Sequence, residues 1–254
     1  MHPRVNVLGV GVSAINLRLA SEAIDRWIQD RQPAYICVAA AHSIMDCQRD
    51  PGLRRIFNNA RMVTPDGMSL VWLLRLQGHQ QVSRVYGPDL LKAVFHRSTQ
   101  KGHRHFLYGG TEVGLQDLGH RLRMQYPAVE IAGAFAPPFR ALTVEEDRNI
   151  VELINRSMPD IVWVGIGSPR QERWMAEHRD VIQAPVMVGV GAAFDFLSGS
   201  KRQAPEWVRA AGLEWLFRLV TEPRRLWPRY REYPRFVYLA AAQLVGLRSF
   251  PFGD

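Results

Sequence analysis

Residues 161–172 read Ile161-Val162-Trp163-Val164-Gly165-Ile166-Gly167-Ser168-Pro169-Arg170-Gln171-Glu172 and carry the strongest buried-strand signal in the chain. A short apolar run that ends in glycines is typical of a strand buried on both faces of a parallel sheet. A helical pattern follows from residue 170. Polar side chains crowded onto a strand end and a helix start are poorly placed for packing, but they are well placed to hold a nucleotide or a sugar.

The same pattern recurs on either side of this stretch. Predicted strands at residues 35–38, 61–63, 105–108 and 186–190 alternate with helical segments. This alternation predicts an α/β fold with a Rossmann-like parallel-sheet core and helices on both faces. Ligands of such sheets collect at the carboxyl ends of the strands. Asp66, Gly109-Gly110, Gln171 and Asp195 all follow predicted strand ends. The Gly109-Gly110 pair is typical either of an anion site at a helix N-terminus or of a tight turn.

Thr64-Pro65-Asp66-Gly67 lies between an apolar run and a helical segment. A carboxylate on such a turn is held in place by the sheet, as catalytic groups of α/β enzymes are. Pro-Asp-Gly is also a common turn sequence with no chemical role. These four residues do not decide between the two interpretations.

Gly9-Val10-Gly11-Val12-Ser13-Ala14 matches the dinucleotide-binding pattern after a predicted strand, with a predicted helix over residues 17–28. The acidic residue that would bind the ribose about 20 residues later is missing. We therefore expect a tight strand-to-helix turn here. An NAD-dependent oxidoreductase that uses Gly9 to Ala14 is kept as an alternative function.

Composition favours a folded, intracellular protein with a polyanionic partner. The 254 residues carry a net charge of +8, which suits nucleic acid, anionic lipid or phosphorylated substrates. Cys37 and Cys47 lack metal-ligand spacing and are expected to be packing residues. No signal-peptide pattern begins the chain, and the nearly uncharged stretch 236–247 is shorter than the ~20 residues of a membrane span. We expect a cytoplasmic protein, at most peripheral on a membrane.

The predicted core covers residues 1–200, and residues 201–254 form a predicted helical appendage that is basic and rich in aromatic residues. Basic and aromatic side chains together suit an anionic membrane interface or a nucleic-acid surface. A nucleic-acid-binding protein is therefore a second alternative function. An arginine cluster that closes over a pyrophosphate would also explain the composition, whereas a merely solvated face would not explain so many large aromatics.

Several stretches together resemble the WecG/TagA/CpsF glycosyltransferases, glycosyltransferase family 26, over nearly the whole chain. They are residues 63–68, 84–90, 165–172, 189–195, 204–207 and 212–219. The resemblance implies inverting transfer of a sugar from a UDP-sugar to a polyprenyl-diphosphate-linked saccharide, in exopolysaccharide or other cell-surface polysaccharide synthesis. It places the enzyme in the cytoplasm, peripheral on the inner face of the bacterial membrane, with an appendage that helps to close the active site. Neither nucleic acid nor a cofactor is expected, and a homo-oligomer is left open.

The family pattern also implies roles for individual residues. Asp66 would be the general base, and Arg218 and Arg225 would stabilise the charge on the departing UDP, because no Asp-x-Asp metal motif is present. A metal-independent reaction is therefore expected. The implied substrate-binding residues are His42, Arg84, Gly109, Gly110, Gly167, Gln171, Glu172, Asp195, Arg224 and Arg229.

One segment departs from the family pattern. The family usually carries Thr-x-Asn after its second strand, where this chain has Val38 and Ala40. Two polar groups beside the donor sugar are thus missing, although His42 remains. The expected donors are therefore N-acetylmannosamine, glucose or a related hexose.

Overall fold

The computed structural model describes residues 2–252, apart from the side chains of Ala210, Arg225 and Arg229. The strands are β1 (Arg4–Val7), β2 (Val10–Ser13), β3 (Ala34–Ala39), β4 (Met62–Pro65), β5 (Arg104–Gly109), β6 (Glu130–Phe135), β7 (Ile161–Gly165) and β8 (Val186–Gly189). The helices are α1 (Leu17–Gln29), α2 (Ala41–Arg49), α3 (Pro51–Asn59), α4 (Met68–Leu76), α5 (Gly87–Lys101), α6 (Glu112–Gln125), α7 (Val144–Arg156), α8 (Arg170–Glu177), α9 (Ala193–Ser198), α10 (Glu206–Ala210), α11 (Glu214–Thr221), α12 (Pro223–Tyr230) and α13 (Tyr233–Leu244).

Six of the strands form one parallel sheet in the order β4-β3-β8-β7-β5-β6. The β7 strand lies inside it, where Trp163 is paired with Leu107 of β5 and Val188 of β8. Burial of β7 on both faces explains its continuous apolar sequence. Because all six strands run in one direction, their carboxyl ends meet at one edge of the sheet.

Successive strand residues point to opposite sides of this sheet, so its apolar strands present apolar side chains on both faces. Helices cover both of these faces. Ile36, Leu107 and Trp163 face a layer that includes α1, α5, α6 and α9. Tyr35 and Val162 face the other layer, which includes α2, α3, α7 and α8. The predicted α/β class and Rossmann-like core are confirmed.

The first two strands are not part of the parallel sheet. β1 and β2 form an antiparallel hairpin whose two-residue loop is Leu8-Gly9, both with positive φ, 50° and 78°. Such loops match the right-handed twist of paired strands. The expected strand-to-helix turn at Gly9 is therefore wrong. Gly11 lies within β2, and α1 begins only after the capping residue Asn16, so the glycines form no phosphate-binding turn at a helix N-terminus.

The C-terminal segment is helical, as predicted, and packs onto the core. α13 lies against α2, and its Phe236 and Leu239 are buried. Gln243 Oε1 accepts a hydrogen bond of 2.9 Å from the backbone N–H of Leu8 in the hairpin loop. Among the described residues, no helix combines the length and apolarity needed to cross a bilayer.

Candidate active site

Two cavities meet at the carboxyl edge of the sheet. The polar cavity, about 420 Å³, is lined by the ends of β7 and β8 and by the helices that follow them. The apolar cavity, about 520 Å³, lies between α4 and the C-terminal helices. The polar cavity includes Gly110, Gly167, Gln171, Gly191, Asp195 and Lys201. The apolar cavity includes Met68, Trp72, Leu213, Trp215, Tyr233 and Phe236. His42, Asp66 and Arg218 line both.

Asp66 lies at the junction of the cavities, on the turn between β4 and α4. Its backbone N–H donates a 2.8 Å hydrogen bond to the carbonyl of Ala39 at the end of β3. The turn is thereby tied to the sheet. The Asp66 side chain is 24% exposed. Burial raises the pKa of this carboxyl from 3.8 to about 6, although the neighbouring Arg84 guanidinium opposes the rise. A carboxylate tuned in this direction is a better proton acceptor than an ordinary aspartate.

Arg84 connects Asp66 to the C-terminal segment. Its Nε donates to the backbone carbonyl of Asp66 at 2.5 Å, and its Nη2 lies 3.4 Å from Asp66 Oδ1. The same Nη2 donates a 2.6 Å hydrogen bond to Glu214 Oε2. The guanidinium also stacks on the ring of Tyr86, 4.1 Å from its centroid. Burial opposes the charge on Arg84, yet the two carboxylates raise its pKa above the ordinary value. Arg84 lines the apolar cavity beside Asp66.

Gln171 and Glu172 form a hydrogen-bonded pair beneath the polar cavity. Gln171 Oε1 accepts a 3.0 Å hydrogen bond from the N–H of Gly191, and its Nε2 donates to Glu172 Oε1 at 2.9 Å. Gln171 lines the cavity. Glu172 has no exposed surface, and burial raises its pKa. Glu172 therefore does not reach the cavity, and it orients the amide of Gln171 instead.

The predicted glycines have different roles. Gly110 and Gly167 line the polar cavity. Gly109 does not: a Cβ there would lie 2.5 Å from the carbonyl carbon of Gly165, and its φ is 129°. Gly109 thus permits the close approach of β5 and β7, which brings Gly110 to the cavity wall.

Asp195 is paired with a cation that the sequence interpretation missed. Lys201 Nζ donates a 2.5 Å hydrogen bond to Asp195 Oδ2, and both residues line the polar cavity. Lys201 follows the αL residue Gly199, which ends α9. The run Asp195 to Lys201, an acid and a base around a Gly-Ser turn, is the signal that could have identified it.

Of the predicted tail arginines, Arg218 on α11 reaches the junction of the cavities, and its guanidinium lies 5.5 Å from the ring centroid of Phe196. Arg224 is exposed on α12 and lines neither cavity. The side chains of Arg225 and Arg229 lie outside the part of the chain that the structure describes. Within residues 2–252, no group of three or more His, Cys, Asp or Glu side chains is placed to hold a metal ion.

The structure is a parallel-sheet α/β fold in which two cavities of different polarity meet at one carboxylate. The model of the glycosyl transferase WecG/TagA/CpsF family matches residues 5–249, and the chain belongs to this family of glycosyltransferases. A curated relative from Bacillus spizizenii (strain W23) is 30% identical over 83% of this chain and 80% of its own length. A second, from Bacillus subtilis (strain 168), is 30% identical over 77% and 74%. Both are named N-acetylglucosaminyldiphosphoundecaprenol N-acetyl-beta-D-mannosaminyltransferase.

Proposed function

We propose that this glycosyltransferase moves a sugar from a UDP-sugar to a polyprenyl-diphosphate-linked saccharide, with inversion at the anomeric carbon. The observation that carries the proposal is the position of Asp66, which lines both cavities. A base at this junction can take the proton of an acceptor hydroxyl from one cavity. The freed oxygen then attacks the anomeric carbon held in the other, opposite the departing diphosphate.

The polar cavity suits the UDP-sugar. Gly110 and Gly167 leave room for close approach, and Gln171 offers a fixed amide. Arg218 supplies positive charge on its wall, and Lys201 lies there paired with Asp195. As the bond between the anomeric carbon and the diphosphate oxygen breaks, negative charge grows on UDP, and an arginine at the junction stabilises it. A metal-independent reaction is part of this proposal.

The apolar cavity suits the lipid end of the acceptor. Around it, Trp72 and Leu76 of α4 are 51% and 74% exposed, and Val237 of α13 is 61% exposed. Exposed apolar groups next to an apolar cavity are typical of a surface that meets lipid. Both curated relatives are named for an acceptor of this kind, N-acetylglucosaminyl-diphosphoundecaprenol. We assign the same acceptor class to this chain.

The donor sugar is proposed to be N-acetylmannosamine, glucose or a related hexose, in cell-surface polysaccharide or exopolysaccharide synthesis. Val38 lines the polar cavity and Ala40 lines the apolar cavity near Asp66. Neither side chain can donate a hydrogen bond to a sugar hydroxyl or acetamido group. Turnover of a panel of UDP-sugars with one lipid-linked acceptor would identify the donor.

The decisive experiment replaces Asp66. Purified wild type, Asp66→Asn and Asp66→Ala are incubated with UDP-sugars and a polyprenyl-diphosphate N-acetylglucosamine, and NMR determines the anomer of the product. Both variants should lose at least about 100-fold in kcat, within the range of general-base catalysis. The matched control is Asp117→Asn, an exposed carboxylate on α6. Retention of wild-type turnover by Asp66→Asn would remove Asp66 as the base.

We further propose that the enzyme works in the cytoplasm, peripheral on the inner face of the membrane. Trp227 of α12 and Tyr238 of α13 are 60% and 63% exposed. Replacing both with serine should weaken sedimentation with phosphatidylglycerol vesicles by about tenfold or more, equivalent to ~1.4 kcal/mol. Met124→Ser on α6, where Met124 is 72% exposed, is the control. Equal sedimentation of all proteins would contradict the proposed membrane surface.

A further inference from the structure

Glu214 is a buried carboxylate that the C-terminal segment inserts into the core. It is the first residue of α11 and is 7% exposed. Its Oε2 accepts from Arg84 Nη2 at 2.6 Å, and its Oε1 accepts from the hydroxyl of Tyr86 at 2.9 Å. Both partners lie about 130 positions earlier in the chain, with sequence separations of 130 and 128. The contact therefore joins the segment to the site.

An ordinary helix-start acid does not explain this arrangement. An acid in the first turn of a helix gains from the helix dipole while it remains in water. A buried carboxylate loses its hydration and must recover that free energy from specific partners. Glu214 has such partners for both oxygens, and both come from the loop that carries Arg84 and from the start of α5. Its contacts point toward the site and away from its own helix.

Arg84 is shared unequally between two carboxylates. Its Nη2 is 2.6 Å from Glu214 Oε2 and 3.4 Å from Asp66 Oδ1. The shorter contact is the stronger charge-assisted hydrogen bond. Without Glu214, the same guanidinium nitrogen would have Asp66 as its nearest anion. An aspartate paired closely with arginine is a weaker base.

We propose that Glu214 is a positioning residue that draws Arg84 away from the carboxylate of Asp66 and so preserves the basicity of Asp66 while the C-terminal segment is docked. The inference rests on the proposed function, in which Asp66 is the base. It also gives the segment a second role, because Arg84 pairs with Asp66 when α11 is not docked. Asp66 is then a weaker base and takes the acceptor proton less readily.

Other groups face Asp66 as well, and they set the background for a pH experiment. Arg218 of α11 lowers the pKa of Asp66, whereas the charge of Glu214 raises it. Among the described side chains, other titratable groups near this junction include His42 of α2, Tyr86 at the start of α5, Tyr230 of α12 and Tyr233 of α13. Of these neighbours, Glu214 is the one whose removal both deletes a negative charge and releases Arg84.

The test is the pH dependence of kcat/KM for Glu214→Gln. This profile reports the free enzyme, and its acid limb follows the base. In the wild type the limb should lie near pH 6, the pKa of Asp66. In Glu214→Gln the acid limb should move to lower pH by about one unit, which is the lower end of the effect that an adjacent positive charge has on the pKa of an aspartate. The plateau of kcat should fall by about threefold, because a weaker base accepts the proton less readily. The KM of the donor should not change.

Two further variants keep the test decisive. Glu214→Asp retains the charge opposite Arg84 and should restore the limb to near its wild-type position. Tyr86→Phe removes the 2.9 Å hydrogen bond that holds Glu214 and should move the limb in the same direction by a smaller amount. Tyr86→Phe supplies the result if Glu214→Gln does not fold, as judged by circular dichroism.

Loss of activity without any shift of the acid limb would overturn the inference, because Glu214 would then be only a docking contact. Its failure is distinguishable from that of the proposed function. If Asp66→Asn is inactive and the limb of Glu214→Gln stays near pH 6, the inference alone fails. If Asp66→Asn retains turnover, the assignment of the base fails first.

Discussion

Replacing Asp66 with asparagine should stabilise the protein at neutral pH while it removes activity. The fold raises the pKa of this carboxyl from 3.8 to about 6. A group whose pKa is raised by folding stabilises the native state when protonated, and this contribution is lost as the pH rises through about 6. Above that pH the wild type carries an ionised carboxylate that the native state disfavours. Asparagine has nearly the same shape and no charge.

The magnitude follows from the shift. Each pKa unit corresponds to about 1.4 kcal/mol, so a rise of about two units gives roughly 3 kcal/mol. The Asp66 side chain is 24% exposed, and solvent screening reduces the expected gain to about 2 kcal/mol. For a chain of this size, that gain raises Tm by about 5 °C. The gain should shrink as the pH falls from 6 to 3.8, because the wild-type carboxyl then becomes neutral as well.

The assay is thermal unfolding by circular dichroism at pH 7.5 and pH 5.0, with transferase activity measured on the same samples. Asp117→Asn, on the exposed face of α6, should have a wild-type Tm at both pH values. An Asp66→Asn variant that is no more stable than wild type at pH 7.5 would refute the reasoning. A gain of equal size at both pH values would refute it too, since the cause could not be the charge.

Three other variants test the remaining features of the site. Arg218→Gln should lower kcat by about 100-fold, because it removes a charge at the point where the proposed diphosphate leaving group departs. Arg224→Gln should turn over like wild type, because Arg224 is exposed and lines neither cavity. Gly109→Ala should lower the free energy of unfolding by about 2 kcal/mol or more, because the new Cβ would clash with Gly165 of the next strand. Urea titration measures this loss, and Gly102→Ala is the control, since a Cβ there meets nothing within 4 Å. Glu172→Gln should raise the KM of the donor severalfold with little change in kcat, because the amide of the adjacent Gln171 loses its carboxyl acceptor. An unchanged KM would contradict the role in orienting Gln171.

The sheet could be predicted from the sequence because each of its strands is a local signal. The run from Ile161 to Gly167 is apolar enough to identify a buried strand without knowledge of its neighbours. The turn at Asp66 follows another such run, so its place at the carboxyl edge was predictable. Parallel strands bring their ends together whatever their order in the sheet, and this explains why Asp66, Gly110, Gln171 and Asp195 line one cavity. Arg84 and Arg218 were predicted only from the family resemblance.

Other features could not be predicted from short stretches of sequence. Gly9-Val10-Gly11 fits both a dinucleotide-binding turn and a hairpin, and the difference depends on residues far along the chain that pack on it. Glu214 occupies a position typical of a helix-start acid, and its partner Arg84 is 130 positions away. Lys201 lies where the predicted appendage begins, and its contact with Asp195 depends on a loop conformation. Burial and pairing of this kind arise only in the folded chain.

The contact between the β1–β2 hairpin and the C-terminal residues also affects how the protein folds during translation. Asn6 donates a hydrogen bond to the carbonyl of Phe250, 244 positions later, and Leu8 donates to Gln243. During translation the hairpin therefore leaves the ribosome long before the residues that cover it. The helix α13 supplies part of this cover and, with the neighbouring helices of the C-terminal segment, one wall of the apolar cavity. Until α13 has been synthesised, the apolar cavity of a nascent chain therefore lacks this wall.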